Sequence, residues 1–149
     1  MAQTYFGSTV RAGSDSLTDA TNGGFMVLMQ TNTVTTVSAG TAVSVTEVLP
    51  AYSQIINIFI DQVQDEVVGG GTATQINATV GTAAAGTQYL SSTNVISGGR
   101  AATTFTAAQL AAMADIGTNT NVVLTLTPNG TISTTQGIYR FTVVYAQKV

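Results

Sequence analysis

Residues Val48 to Thr82 read VLPAYSQIINIFIDQVQDEVVGGGTATQINATVGT, and the fold class follows from how this stretch alternates. From Gln54 to Val63 the side chains take turns with period two. Ile56, Ile58 and Ile60 point one way, and Ile55, Asn57, Phe59, Asp61 and Val63 the other. Both faces are partly apolar, as expected of a strand with a layer packed over each side. Gly69, Gly70 and Gly71 break the pattern, after which Thr74 to Val80 resumes it with Ile76, Ala78 and Val80 inward. The stretch therefore predicts a strand, a loop and a second strand.

Working outward, the upstream run FMVLMQTNTVTTV from Phe25 puts Phe25, Val27 and Met29 on one face and Met26 and Leu28 on the other. Ser38 to Gly40 supply a turn, and TAVSVTEV from Thr41 to Val48 returns with Val43 and Val45 on one side, so the pair reads as a hairpin. Downstream, Tyr89, Leu90, Val95 and Ile96 are the apolar anchors of an irregular segment. Thr106 and Gln109 have the spacing of a capping box, and Gly117 is placed to stop a short helix near residues 106–116. Two strong strands close the chain. Val122, Leu124 and Leu126 share a face in the first, Pro128-Asn129-Gly130 turns the chain, and Tyr139, Phe141, Val143 and Tyr145 form the core face of the second. With six to eight strands and one short helix, the expected fold is all-β, a two-sheet antiparallel β-sandwich of jelly-roll type. The pattern leaves open whether the strands follow jelly-roll or immunoglobulin-like order. Residues 1–24, polar and punctuated by glycine, are expected to be an extended arm with Tyr5 and Phe6 as contacts to a neighbour; residues 25–149 are expected to be the sandwich.

Composition narrows the chemistry. The 149 residues contain no cysteine, histidine or tryptophan, which removes thiolate sites and the commonest general base and metal ligand together. Charged residues make up 7%, against about 25% in an ordinary soluble domain. Most of the polar exterior must therefore be hydroxyl, in keeping with the 27 threonines. A neutral hydroxyl costs far less to desolvate than an ion, so such a surface suits extensive permanent protein contacts. A net charge of −3 with scattered basic residues argues against nucleic acid. No run approaches the ~18 apolar residues of a membrane span, and the first residues lack a secretory signal, so no membrane partner is expected.

Tests for individual sites fail in turn. Asp61, Asp65 and Glu66 could offer carboxylates to calcium but lack the spacing of an EF-hand loop. A serine nucleophile has no histidine to activate it, and the Gly-rich run at Gly69–Thr72 is followed by a strand and no Gly-Lys-Ser/Thr. No catalytic residue, metal or cofactor is expected, and the chain is not read as an enzyme.

Several segments together resemble a known set of proteins. LPAYSQIINIFIDQV at Leu49–Val63, ATQINATVGTAAAGTQYL at Ala73–Leu90, Gly98-Gly99-Arg100, VVLTLTPNGT from Val122 and GIYRFTVVYAQ from Gly137 are similar in layout to small β-sandwich virion proteins of tailed bacteriophages, among them capsid decoration or cement proteins. The resemblance covers roughly Val48 to Val149. It implies a protein made in the host cytoplasm that sits on the capsid exterior as a homotrimer, with the major capsid protein and its own copies as partners. On that basis Tyr5 and Phe6 are expected to touch the capsid or a neighbour, and the Ile55, Phe59, Val63 face to serve self-association. The alternative is a head-fibre, neck or tail-tip module that binds a host surface receptor through exposed aromatics, with Tyr52 and Tyr89 as candidates.

Overall fold

A computed structural model describes residues 25–66, 71–96, 98–132 and 135–148. The expected arm, with Tyr5 and Phe6, lies outside them. Strands β1 (Phe25–Thr35), β2 (Val43–Leu49), β3 (Ser53–Gln64), β4 (Ile76–Gly81), β5 (Leu90–Asn94) and β6 (Gly99–Arg100) precede helix α1 (Ala107–Ala114), and β7 (Thr120–Pro128) and β8 (Ile138–Lys148) follow it. Among the described residues they form two antiparallel four-stranded sheets, ordered β1-β8-β3-β6 and β2-β7-β4-β5.

The pairing is nested. β1 pairs with β8, β2 with β7, β3 with β6 and β4 with β5. This is a long hairpin, four strands out and four back, rolled so that all successive strands but β4 and β5, which form its tip, alternate between two sheets: a jelly roll. The order left open by the pattern is thereby settled, and one expectation is corrected. β1 and β2 are not a hairpin, because the connection between them crosses from one sheet to the other. The same holds for β3 and β4. Between β1 and β2 the turn, in which Gly40 N donates to Val37 O, reverses the chain without pairing the flanking strands.

The core lies between the sheets and is supplied by the expected phases of β4, β7 and β8. Ile76, Ala78 and Val80 face Val122, Leu124 and Leu126 as sheet neighbours, and Tyr139, Phe141, Val143 and Tyr145 oppose them from the other layer. Each fully buried large aliphatic side chain contributes on the order of 1.5–3 kcal/mol. In β3 the expected phase fails halfway. The register against β8 skips between Ile55 and Asn57, so Ile56 is an extra, bulged residue. Ile55 consequently points inward with Ile58 and Ile60 and is 3% exposed, whereas Ile56 is 48% exposed. A second bulge, between Gln62 and Gln64, leaves Val63 at the surface.

Helix α1 closes one side. Its capping box forms as expected: Thr106 Oγ1 accepts from Gln109 N at 3.3 Å, and Gln109 Oε1 accepts from Thr106 N at 2.8 Å. Gln109 also donates to Thr87 O and Ser91 Oγ, and Met113 fills the space beneath, so the helix is tied to the β5 side of the sandwich. At the opposite end Asn129 holds two loops together, accepting from Thr74 N and Gln75 N and donating to Thr74 Oγ1. There Gly40, at φ +70°, packs so closely on the Gly130 carbonyl that a β-carbon would collide with it.

Candidate protein-interaction face

The two sheets treat their outer faces differently. On the β2-β7-β4-β5 sheet, Val123 and Thr125 are buried although they point away from the core. The loop after β4 lies near them, its Ala85 N donating to Thr125 Oγ1 at 2.9 Å. The outer face of the β1-β8-β3-β6 sheet carries a different set of groups. It presents Val27 and Met29 from β1, 66% and 69% exposed, together with Val144 from β8 and Phe59 from β3.

Charge on this face is arranged in one row. Arg100 on β6, Asp61 on β3 and Arg140 on β8 are cross-strand neighbours in register. Arg100 Nε donates to Asp61 Oδ1 at 2.7 Å, and Arg140 Nη2 to Asp61 Oδ2 at 3.1 Å. Hydrogen bonding to Arg100 comes first in holding the Asp61 carboxyl below its ordinary range; its burial opposes this, and Arg140 adds to the lowering. The Arg100 guanidinium also lies 4.4 Å from the centre of the Phe59 ring. Because both guanidinium groups are largely in solvent, the row adds little to stability. It does fix two forked donors in place, with one more positive charge than negative. Between the row and Met29 lies an open depression of about 330 Å³ lined also by Thr31, Thr142 and Val144. The hydroxyls of Thr31 and Thr142 bond across β1 and β8 at 3.0 Å. Chemically the face offers apolar contact, neutral hydroxyls and an exposed guanidinium pair.

The residues singled out from sequence separate on this framework. Phe59 is on the face, half-buried under Arg100, and Val63 is exposed at the second bulge. Ile55 is a core residue, removed from the face by the bulge at Ile56. Tyr89 is buried in the core and burial raises its hydroxyl pKa, while Tyr52 is exposed in the turn before β3, so the two make no common aromatic patch. The acidic residues do not converge: Asp61 is held by the two arginines, whereas Glu66 accepts from Gln62 Nε2 at 2.7 Å and from the Tyr139 hydroxyl at 2.9 Å. Burial, chiefly, with Glu66 beside it, raises the Tyr139 pKa. Met29, Arg100 and Arg140 were not recognised from sequence. Their signal was faint: a lone charge on the outward phase of an otherwise apolar strand, repeated in β3 and β8.

Among the described residues this face lies on an eight-stranded jelly roll. Compared with known proteins, the chain matches no family model and no curated protein. Among solved structures it is similar to a chain of the cyanophage Pam1 capsid asymmetric unit, with 22% identity, a TM-score of 0.56 and 98% of each chain covered. At that identity the likeness establishes the shared fold.

Proposed function

We propose that this chain is a structural protein of a phage virion that decorates and stabilises the capsid. It binds the capsid exterior across neighbouring major capsid protein subunits, as a homotrimer, and has no catalytic role. The observation that carries this reading is the end-to-end likeness in fold to a chain from a phage capsid, spanning 98% of both. The surface supports it independently: a threonine-rich exterior with 7% charged residues can be covered permanently at little desolvation cost. Individually weak contacts, repeated at symmetry-related sites, add up through multivalency. The outer face with Met29, Phe59, Arg100 and Arg140 is the contact surface, toward the capsid or a second copy. No observation favours receptor binding, since Tyr89 lies in the core.

The test is reconstitution. Purified chain is added to capsid shells from a phage lacking its gene, and bound protein is measured by co-sedimentation together with the temperature at which the shells release DNA. Saturable binding at a fixed ratio with a raised release temperature is expected. Shells that bind none, or bind without gaining heat resistance, refute the stabilising role.

A further inference from the structure

Strand β1 is the outermost strand of its sheet among the described residues, pairing with β8 without a skip from Phe25↔Lys148 to Thr35↔Ile138. Which of its backbone groups face outward follows from two bonds. Thr36 N donates to Gly137 O at 3.0 Å, so the even-numbered residues bond to the β8 side. Thr33 N instead donates to the Asn32 side chain, so Val27, Met29, Thr31 and Thr33 turn their N–H and C=O groups away from β8.

Exposed edges of this kind are normally guarded by charge, proline, bulges or cover. At β2 and alongside β3 they are. β2, one edge of the other sheet, points Glu47 inward and is followed by Pro50; Glu47 Oε1 is buried without a partner among the described residues, and burial raises the carboxyl pKa. Alongside β3, Ala101 N and Thr103 Oγ1 bond to Ile60 O and Ile58 O, and the Asn57 side chain caps Ile58 N. β1 has eleven residues, FMVLMQTNTVT, with no charge, no proline and no bulge, and among the described residues only Thr33 N of its outward groups is capped. Such an edge is a template for strand addition.

We infer that the free edge of β1 receives, as an added strand, residues from the first 24 of a second copy of this chain. This rests on the homo-oligomer part of the proposed function. The 24 residues outside the described structure lead directly into Phe25, at one end of this edge. Within them Thr4 to Val10, TYFGSTV, is uncharged and contains the strand-forming Thr, Tyr, Phe and Val residues. Its seven residues match the span from Val27 to Thr33. Arg11 to Gly24, RAGSDSLTDATNGG, has the Gly, Ser and Asp content of a linker, and its 14 residues reach about 46–50 Å when extended. A domain of this length has a radius of gyration of about 15 Å, so the linker suffices to cross to a neighbour. Giving a strand to one neighbour and receiving one from the other is a heterologous contact, which closes in a ring of three.

The absence of native cysteine makes the test direct. Two differently tagged copies of the full chain are co-expressed, one carrying Ser8→Cys and the other Val27→Cys, Met29→Cys or Thr31→Cys, then oxidised and sized under denaturing conditions; native mass is read by light scattering. A covalent heterodimer for at least one pair, from a trimeric parent, is expected. Thr31→Pro, placed in the edge copy beside Met29→Cys, removes an outward N–H while sparing the β8 ladder, and it should abolish that cross-link without unfolding the chain. A trimer without cross-links overturns the inference and leaves the oligomer reading standing. Cross-links confined within one chain carrying both cysteines also overturn it, since the arm then folds back on its own edge. A monomer that forms none refutes both, while capsid binding is still decided by reconstitution.

Discussion

Replacing Ile55 and Ile56 separately by alanine should have very different consequences, although the two side chains are identical and adjacent. Ile55 is 3% exposed and packs between the sheets; Ile56 is 48% exposed on the bulge. Truncating a buried isoleucine costs about 2–5 kcal/mol, because the removed carbons lose their transfer energy and leave a cavity. For Ile56 roughly half the side chain is already in water. At ~0.8 kcal/mol per buried methylene, its three lost carbons cost about 1 kcal/mol. Since ~1 kcal/mol corresponds to about 2–4 °C in a domain of this size, an Ile55→Ala cost of ~3 kcal/mol is a loss of about 6–12 °C, and Ile56→Ala should lose about 2–4 °C. Scanning calorimetry at two chain concentrations measures both and separates intrinsic stability from self-association. An Ile56→Ala variant damaged as much as Ile55→Ala at both concentrations would refute the bulge and the phase of β3.

Further predictions concern caps, turns and charge. Thr106→Ala removes the helix N-cap and should cost about 1 kcal/mol in urea unfolding. Gly40→Ala meets both a positive φ and the Gly130 carbonyl, so it should lose more than about 2 kcal/mol by the same measurement. The folded pKa of Asp61 is lowered, so its stabilisation is complete above the ordinary value of 3.8 and disappears as pH falls through the folded value; the Tm gap between the parent and Asp61→Asn should close over that acid range. Glu47 has the opposite sign. Its folded pKa is raised, so the cost of burying the charge is absent below the ordinary value of 4.5 and grows as pH rises through the folded value. Glu47→Gln should therefore raise Tm at neutral pH and change nothing in acid, as thermal melts across pH will show.

What could be read from sequence depended on whether alternation survived. β4 and β7 pair with each other without a skip over Ile76–Gly81 and Val123–Pro128, and β8 pairs with β1 without one over Tyr139–Tyr145, so in these strands the apolar phase marked the core directly. In β3 two adjacent isoleucines fit either phase, and a bulge leaves no mark in composition. Chain proximity misled at β1 and β2, because a jelly roll pairs β1 with a strand more than a hundred residues away. The Arg100–Asp61–Arg140 row was hidden for the same reason: its members come from three separate stretches and meet only through sheet register. The capping box was legible because all its partners lie within four residues.

The most direct measurement is the copy number of this chain in purified virions, by quantitative mass spectrometry against the major capsid protein. A capsid-stabilising subunit predicts hundreds of copies in a constant ratio to the capsid lattice. A dozen copies, or none, would contradict it.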